Sequence, residues 1–173
     1  MPDLVLEHKY DPERKRHYMN GELAVLHCHH YSTLFAQLAI DAHDVVDGTK
    51  ILKETGGDVF HRILSAYYQR NNVTSPEDRL DIAQKMFSSF GLGLMKAASF
   101  TAQGGEIELP HSHLDDGWVK KWGPASQPVN LLGAGYIAGM FAAAFGGAPA
   151  KYQVTETQSI ACGAKTSKFK VTV

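Results

Sequence analysis

Cysteine is scarce in this chain. There are two among 173 residues, Cys28 and Cys162, and they lie far apart, so no disulfide framework is indicated. An excess of basic charge is also missing. Seventeen Lys and Arg against 18 Asp and Glu leave a net charge of -1, which argues against a nucleic-acid binder working through a basic surface. The one dense basic run, Arg14-Lys15-Arg16-His17, reads as a solvated strand or turn. No long apolar run is uninterrupted. The longest comes late, is broken by glycines and consists mostly of small residues, so it reads as a buried helix and no membrane partner is expected. The first residues, Met1 to Glu7, show neither a charged n-region nor an apolar h-region, so no signal peptide is expected and the cytoplasm is the default location. A phosphate-binding glycine loop is absent too, because Gly91-Leu92-Gly93 follows a helical pattern instead of opening one. No repeat, low-complexity tract or linker is visible. What remains is 44% apolar and 20% charged residues, which suit a single domain over residues 1–173.

The stretch from Pro128 to Val173 organises that domain. Its first half is apolar nearly all round for about five turns, the mark of a buried helix. Pro128 suits the first helical position and Gly146-Gly147 the stop. Small residues at Gly135, Ala138 and Gly139 leave one face bare, so another backbone or a flat ligand can lie close. The second half alternates, with Tyr152, Val154, Glu156 and Gln158 on one strand face and Phe169, Val171 and Val173 on the next. Upstream, Asn20-Gly21 signals a hairpin and residues 22–29 a strand. Ser32 is a candidate cap for a helix to about residue 42. A second helix reaches residue 68 or 69 with a break at Gly56-Gly57, and Ser75-Pro76-Glu77-Asp78 opens a third. Two strands around Gln103-Gly104-Gly105 and a short helix over 114–122 precede the organising stretch. The order implies the α+β class: an antiparallel sheet with helices packed on one face, then a C-terminal buried helix followed by a β-hairpin.

The late stretch resembles the 4-vinyl reductase domain family of small-molecule or hydrocarbon-binding domains. The residues that carry the resemblance are Pro128-Val129, then Gly135-Tyr136-Ile137-Ala138-Gly139, then Gly146-Gly147. A hairpin with Glu156, Ser159, Gly163, Ser167 and Phe169 in the family's spacing completes it. The family includes sensor domains of aromatic-responsive bacterial activators and a protein of bacteriochlorophyll synthesis. Its fold is distantly related to vesicle-tethering subunits of TRAPP. The looser pattern covers residues 20–173. Many members hold zinc with one Cys before the helix, the hairpin Glu and two hairpin Cys. Those positions here are Asn130, Glu156, Ser159 and Ser167, and only the Glu remains. Asn and Ser are poor zinc ligands, so the resemblance implies that this site is dismantled. Cys162 matches neither cysteine position.

Two histidine pairs carry the sharpest other signal. On a strand, His27 and His29 share a face, and His111 and His113 form a second pair. If the two segments meet, three or four imidazoles converge, and Glu156 adds a carboxylate. Such a set suits a transition metal, zinc or iron among others. Unrelated surface and core histidines are the simpler reading, since nine in the chain make chance pairs common. Cys28 is expected to be an inert buried thiol. The aromatic residues pack mostly as core, yet the bare helix face leaves room beside them. Tyr31, Trp118, Gly135, Tyr136 and Gly139 are therefore the candidate ligand-binding residues of an elongated apolar pocket, expected between the helix of residues 128–145, the first two helices and the sheet.

The leading expectation is a small-molecule-binding domain for an apolar or aromatic ligand. A metal-dependent enzyme acting on a small organic substrate through the paired histidines is the alternative, and an assembly subunit is the third. A homodimer fits all three. No attached effector domain is expected within these residues, so a sensor of this kind is expected to act through a separate partner.

Overall fold

A computed structural model describes residues 3–25 and 27–173. Its elements are β1 (His8–Asp11), β2 (Arg16–Met19), β3 (Glu22–Ala24), α1 (His29–Asp41), α2 (Gly48–Arg70) and α3 (Pro76–Ser89). They continue with β4 (Gly93–Thr101), β5 (Gly104–Ser112), α4 (His113–Trp122), α5 (Leu131–Phe145), β6 (Gln153–Gln158) and β7 (Ser167–Thr172). The class is α+β, as expected. The strands form two antiparallel sheets: a small meander β1-β2-β3 and a main sheet in the order β4-β5-β7-β6. Along β7, Ser167, Phe169 and Val171 are buried, while Lys168 and Lys170 face out. That alternation gives the main sheet one core face. Phe169 pairs with Ile107 of β5 on one side and with Glu156 of β6 on the other.

Two helices dominate the packing. α5 is buried along nearly its whole length, and Tyr136, Ile137, Met140 and Phe141 are fully enclosed against Phe87, Ile107, Leu109 and Phe169. α2 crosses it at a glycine-to-glycine contact and runs unbroken through Gly56-Gly57. A Cβ at Gly139 would stand 2.5 Å from the Gly57 carbonyl oxygen, and one at Gly135 2.5 Å from that of Lys53. The bare face of α5 thus receives a helix backbone. The same close approach explains why the expected break is absent: Gly56 and Gly57 pack against Leu132, Gly135 and Pro149 instead of ending a helix.

The helix starts follow local chemistry at Ser75, whose hydroxyl accepts from Asp78 N–H, and at Asp47, Ser112 and Asn130. α1 differs from expectation. It begins at His29, with Cys28 as the capping residue, so the strand expected over 22–29 stops at Ala24; its Leu26 lies outside the described residues. Ser32 is the fourth residue of the helix and turns inward.

Candidate functional site

α1 and α4 lie side by side because Gly117 admits the approach. A Cβ there would stand 2.8 Å from His29 Cβ and 3.0 Å from Thr33 Cγ2. The next residue, Trp118, is buried and forms a small core with Ala36, Val129 and Ala161. Between α1, the first turns of α2, α4 and the start of α5 the packing leaves a pocket of about 190 Å³. Phe35, Leu52, Leu114, Trp118, Val129 and Leu132 supply its apolar lining. Its polar groups gather on one side, where His27 Nδ1 lies 2.9 Å from Ser32 Oγ. Tyr31 lies outside the lining but beside that corner: its ring is 5.5 Å from that of His27 and 5.1 Å from that of Phe35, and it is itself exposed. The expected cavity lay between the long helix, the first two helices and the sheet. The observed one is bounded by α4 and does not reach the sheet.

A second hollow, of about 470 Å³, runs along α2 and α5. Ala134, Gly135, Ala138, Tyr152 and Val154 line its floor, and Lys50, Lys53, Glu54 and Asp58 bring both signs of charge to it. Of the expected ligand residues, then, Trp118 lines the apolar pocket and Tyr31 stands at its rim. Gly135 borders the charged groove, and Gly139 packs against α2. Tyr136 is fully buried and its hydroxyl donates to the Ala83 carbonyl at 2.7 Å, so it serves the core.

The histidines are partly gathered. Because α1 begins at His29, His27 and His29 do not share a strand face, which corrects the geometry expected from alternation. His29 instead reaches His113 at the start of α4, ring to ring at 5.7 Å, and touches His30 at 4.1 Å. Its Nε2 is buried and has no hydrogen-bond partner among the described residues. Burial first, then the neighbouring His29 and His27, push the His113 pKa below its usual value. His30 is lowered as well, by desolvation and then by His29. His111 is exposed on β5 opposite Leu94 and outside this group. Among the described residues no set of three or more His, Cys, Asp or Glu is arranged to hold a metal ion.

Glu156 belongs elsewhere, to a buried polar hub that includes the four positions of the family's zinc site. At its centre is Asp115, 0% exposed. Asn130 Nδ2 donates to its carboxylate at 2.7 Å, and the Ser159 and Ser167 hydroxyls do so at 3.3 Å. Asn130 also bonds Ser112 Oγ at 3.0 Å and caps α5 by accepting from Gly133 N–H. Its own N–H donates to Glu156 Oε2 at 3.3 Å, and Glu156 Oε1 is buried without a partner. Burial raises the Asp115 pKa against the pull of these donors. Burial, then the charge of Asp115, pushes Glu156 up to about 7. The donor set does not fit zinc: Asn130 turns an N–H toward the centre, and two neutral hydroxyls stand where thiolates are needed. Sequence reasoning missed Asp115, whose burial is tertiary; the Ser112-x-x-Asp115 capping pattern was the available signal.

No protein-family model and no curated protein matches the chain. Among solved structures it is similar to the phenol-responsive sensory domain of the transcription activator PoxR, determined with phenol. The TM-score is 0.79 at 14% identity, over 95% of this chain and 84% of that one. At that identity the likeness establishes the fold.

Proposed function

We propose that this chain binds one small aromatic molecule in the pocket between α1, α2, α4 and α5, as a domain of the 4-vinyl reductase kind. The carrying observation is the pocket itself: about 190 Å³, walled by Trp118 and aliphatic side chains, with His27 and Ser32 as its polar corner. An apolar cavity of about 150 Å³ is enough to take up benzene, so the volume suits a single substituted ring. The His27–Ser32 pair offers a donor and an acceptor to one hydroxyl, a preference that the phenol in the similar structure makes concrete. The charged groove along α2 supports this less well, because both signs of charge and a wide opening suit no particular apolar guest.

Titration of the full chain with phenol and with toluene, followed by tryptophan fluorescence and calorimetry, tests the reading. Phenol should bind one per chain and more tightly than toluene. Ser32→Ala and His27→Ala should erase that preference while toluene affinity stays. Equal binding of both ligands by the parent, or no binding of either, contradicts the reading.

A second reading has one specific support. The partnerless buried His29 Nε2 beside His113 suits a metal-dependent reaction through these histidines and His27, with zinc or iron as the metal. Metal content of untagged protein, parent against His29→Ala, decides it. For the expected homodimer the support is α1, which turns Ser32, Thr33, Ala36 and Ala39 inward and the larger Tyr31, Leu34, Phe35 and Leu38 outward. Sedimentation equilibrium measures that state.

A further inference from the structure

The two walls of the pocket belong to separate parts of the chain. Leu114 and Trp118 stand on α4, while Val129, Leu131 and Leu132 stand at the start of α5. Residues 123–130 between them contain no helix or strand. What joins the walls is one buried carboxylate. Asp115 follows Leu114 and Asn130 follows Val129, and the two polar side chains meet at 2.7 Å behind the apolar lining. The same carboxylate takes the hydroxyls of Ser159 and Ser167, and Ala161 beside them packs with Trp118 and Val129. Asp115, Asn130, Ser112, Ser159 and Ser167 are each 3% exposed or less.

Such a hub is costly to build. A carboxylate taken out of water without a cation is tolerated only where several donors converge on it, and apolar packing of the same volume is often the more stable alternative. What a fully connected network adds is a fixed geometry, because each hydroxyl has one proton and one best direction. The geometry fixed here is that of the pocket walls.

We propose that Asp115 is the positioning residue of the pocket: through Asn130, Ser159 and Ser167 it holds the α4 wall against the α5 wall. The inference rests on the reading of the pocket as the ligand site. Asp115 does not line the pocket; it acts through Leu114, Trp118 and Val129.

The test uses the full chain with phenol as the probe. Asp115→Asn keeps the shape but replaces an acceptor by a donor among donors. It should weaken phenol about tenfold, equivalent to 1.4 kcal/mol, and reduce the near-ultraviolet circular dichroism of the neighbouring Trp118 and Trp122 rings. Exchanging the pair, Asp115→Asn with Asn130→Asp, moves the carboxylate to the other end of the same hydrogen bond and should recover most of both signals. A merely structural role gives no recovery in the exchanged pair. If Asp115→Asn does not fold, Ser159→Ala removes a single donor and should move both signals in the same direction. Unchanged phenol affinity and dichroism in Asp115→Asn or Ser159→Ala overturns the proposal. So does a stoichiometric metal in the parent whose removal by chelator changes the dichroism. If phenol does not bind the parent, the ligand reading fails, and the dichroism of parent, variant and exchanged pair still decides whether Asp115 positions Trp118.

Discussion

Gly139→Ala adds one methyl group at the tightest point between α2 and α5. In an open helix that change stabilises, since Gly costs about 1 kcal/mol relative to Ala in a helix interior. Here the new Cβ would stand 2.5 Å from the Gly57 carbonyl oxygen and 3.0 Å from His61 N. Both are backbone atoms of a buried helix and neither can rotate away. Ordinary contact needs close to 1 Å more, so the two helices must separate over their most extensive pairing, and Gly135, Leu64 and Phe60 lose contact with them. Overpacking of this kind costs about 1–3 kcal/mol. Set against the helical gain, a net loss of about 0–2 kcal/mol is expected. Urea unfolding with a constant m-value is the assay. Gly56→Ala is the control: it sits in α2 on the same interface, but the one tight neighbour of its Cβ would be the Leu132 side-chain tip at 3.1 Å, which can turn aside, while backbone atoms lie at 3.8 Å and beyond, an ordinary contact. That variant should match the parent or exceed it. Gly139→Ala as stable as Gly56→Ala would refute the close helix crossing.

Two further outcomes follow from the hub. Folding raises the Glu156 pKa from 4.5 to about 7, so the folded chain holds this proton more tightly than the unfolded one. The associated stability is fully present below about 4.5 and is lost as pH rises through about 7, by at most about 3 kcal/mol at 1.36 kcal/mol per unit. His113 is shifted downward and acts in the opposite sense, so the parent must be compared with Glu156→Gln, which should lack the Glu156 contribution in urea midpoints between pH 5 and 8. Equal pH slopes in the two proteins contradict it. Second, the triple substitution Asn130→Cys, Ser159→Cys and Ser167→Cys gives zinc three thiolates beside Glu156, and mass spectrometry should find one zinc per chain that the parent lacks at these positions.

The elements with local chemistry were legible in the sequence. Ser75-Pro76 marked the start of α3, the all-round apolar run marked α5, and alternation from Tyr152 to Val173 marked the closing hairpin. Gly135 and Gly139 were legible as a place of close approach, though not as the seat of α2. Alternation misled at residues 22–29, where Cys28 and His29 begin a helix that packs its Thr33 and His29 on Gly117. Gly56-Gly57 looked like a helix break because a sequence does not show the second helix that makes small residues useful there. Asp115 read as one acid of a first helical turn. Only the tertiary fold shows that Asn130, Ser159 and Ser167 close over it, so the resemblance singled out these three positions while their shared partner stayed hidden.

The central claim is that one aromatic ring occupies the space between Trp118 and Leu52. A crystal structure of the full chain with phenol tests it most directly. The account predicts the ring in contact with Trp118, Leu114 and Val129, with its hydroxyl at hydrogen-bond distance from His27 or Ser32. Phenol in the charged groove between Lys53 and Val154, or in a space opened beside Tyr136, with the Trp118 pocket empty, would contradict it.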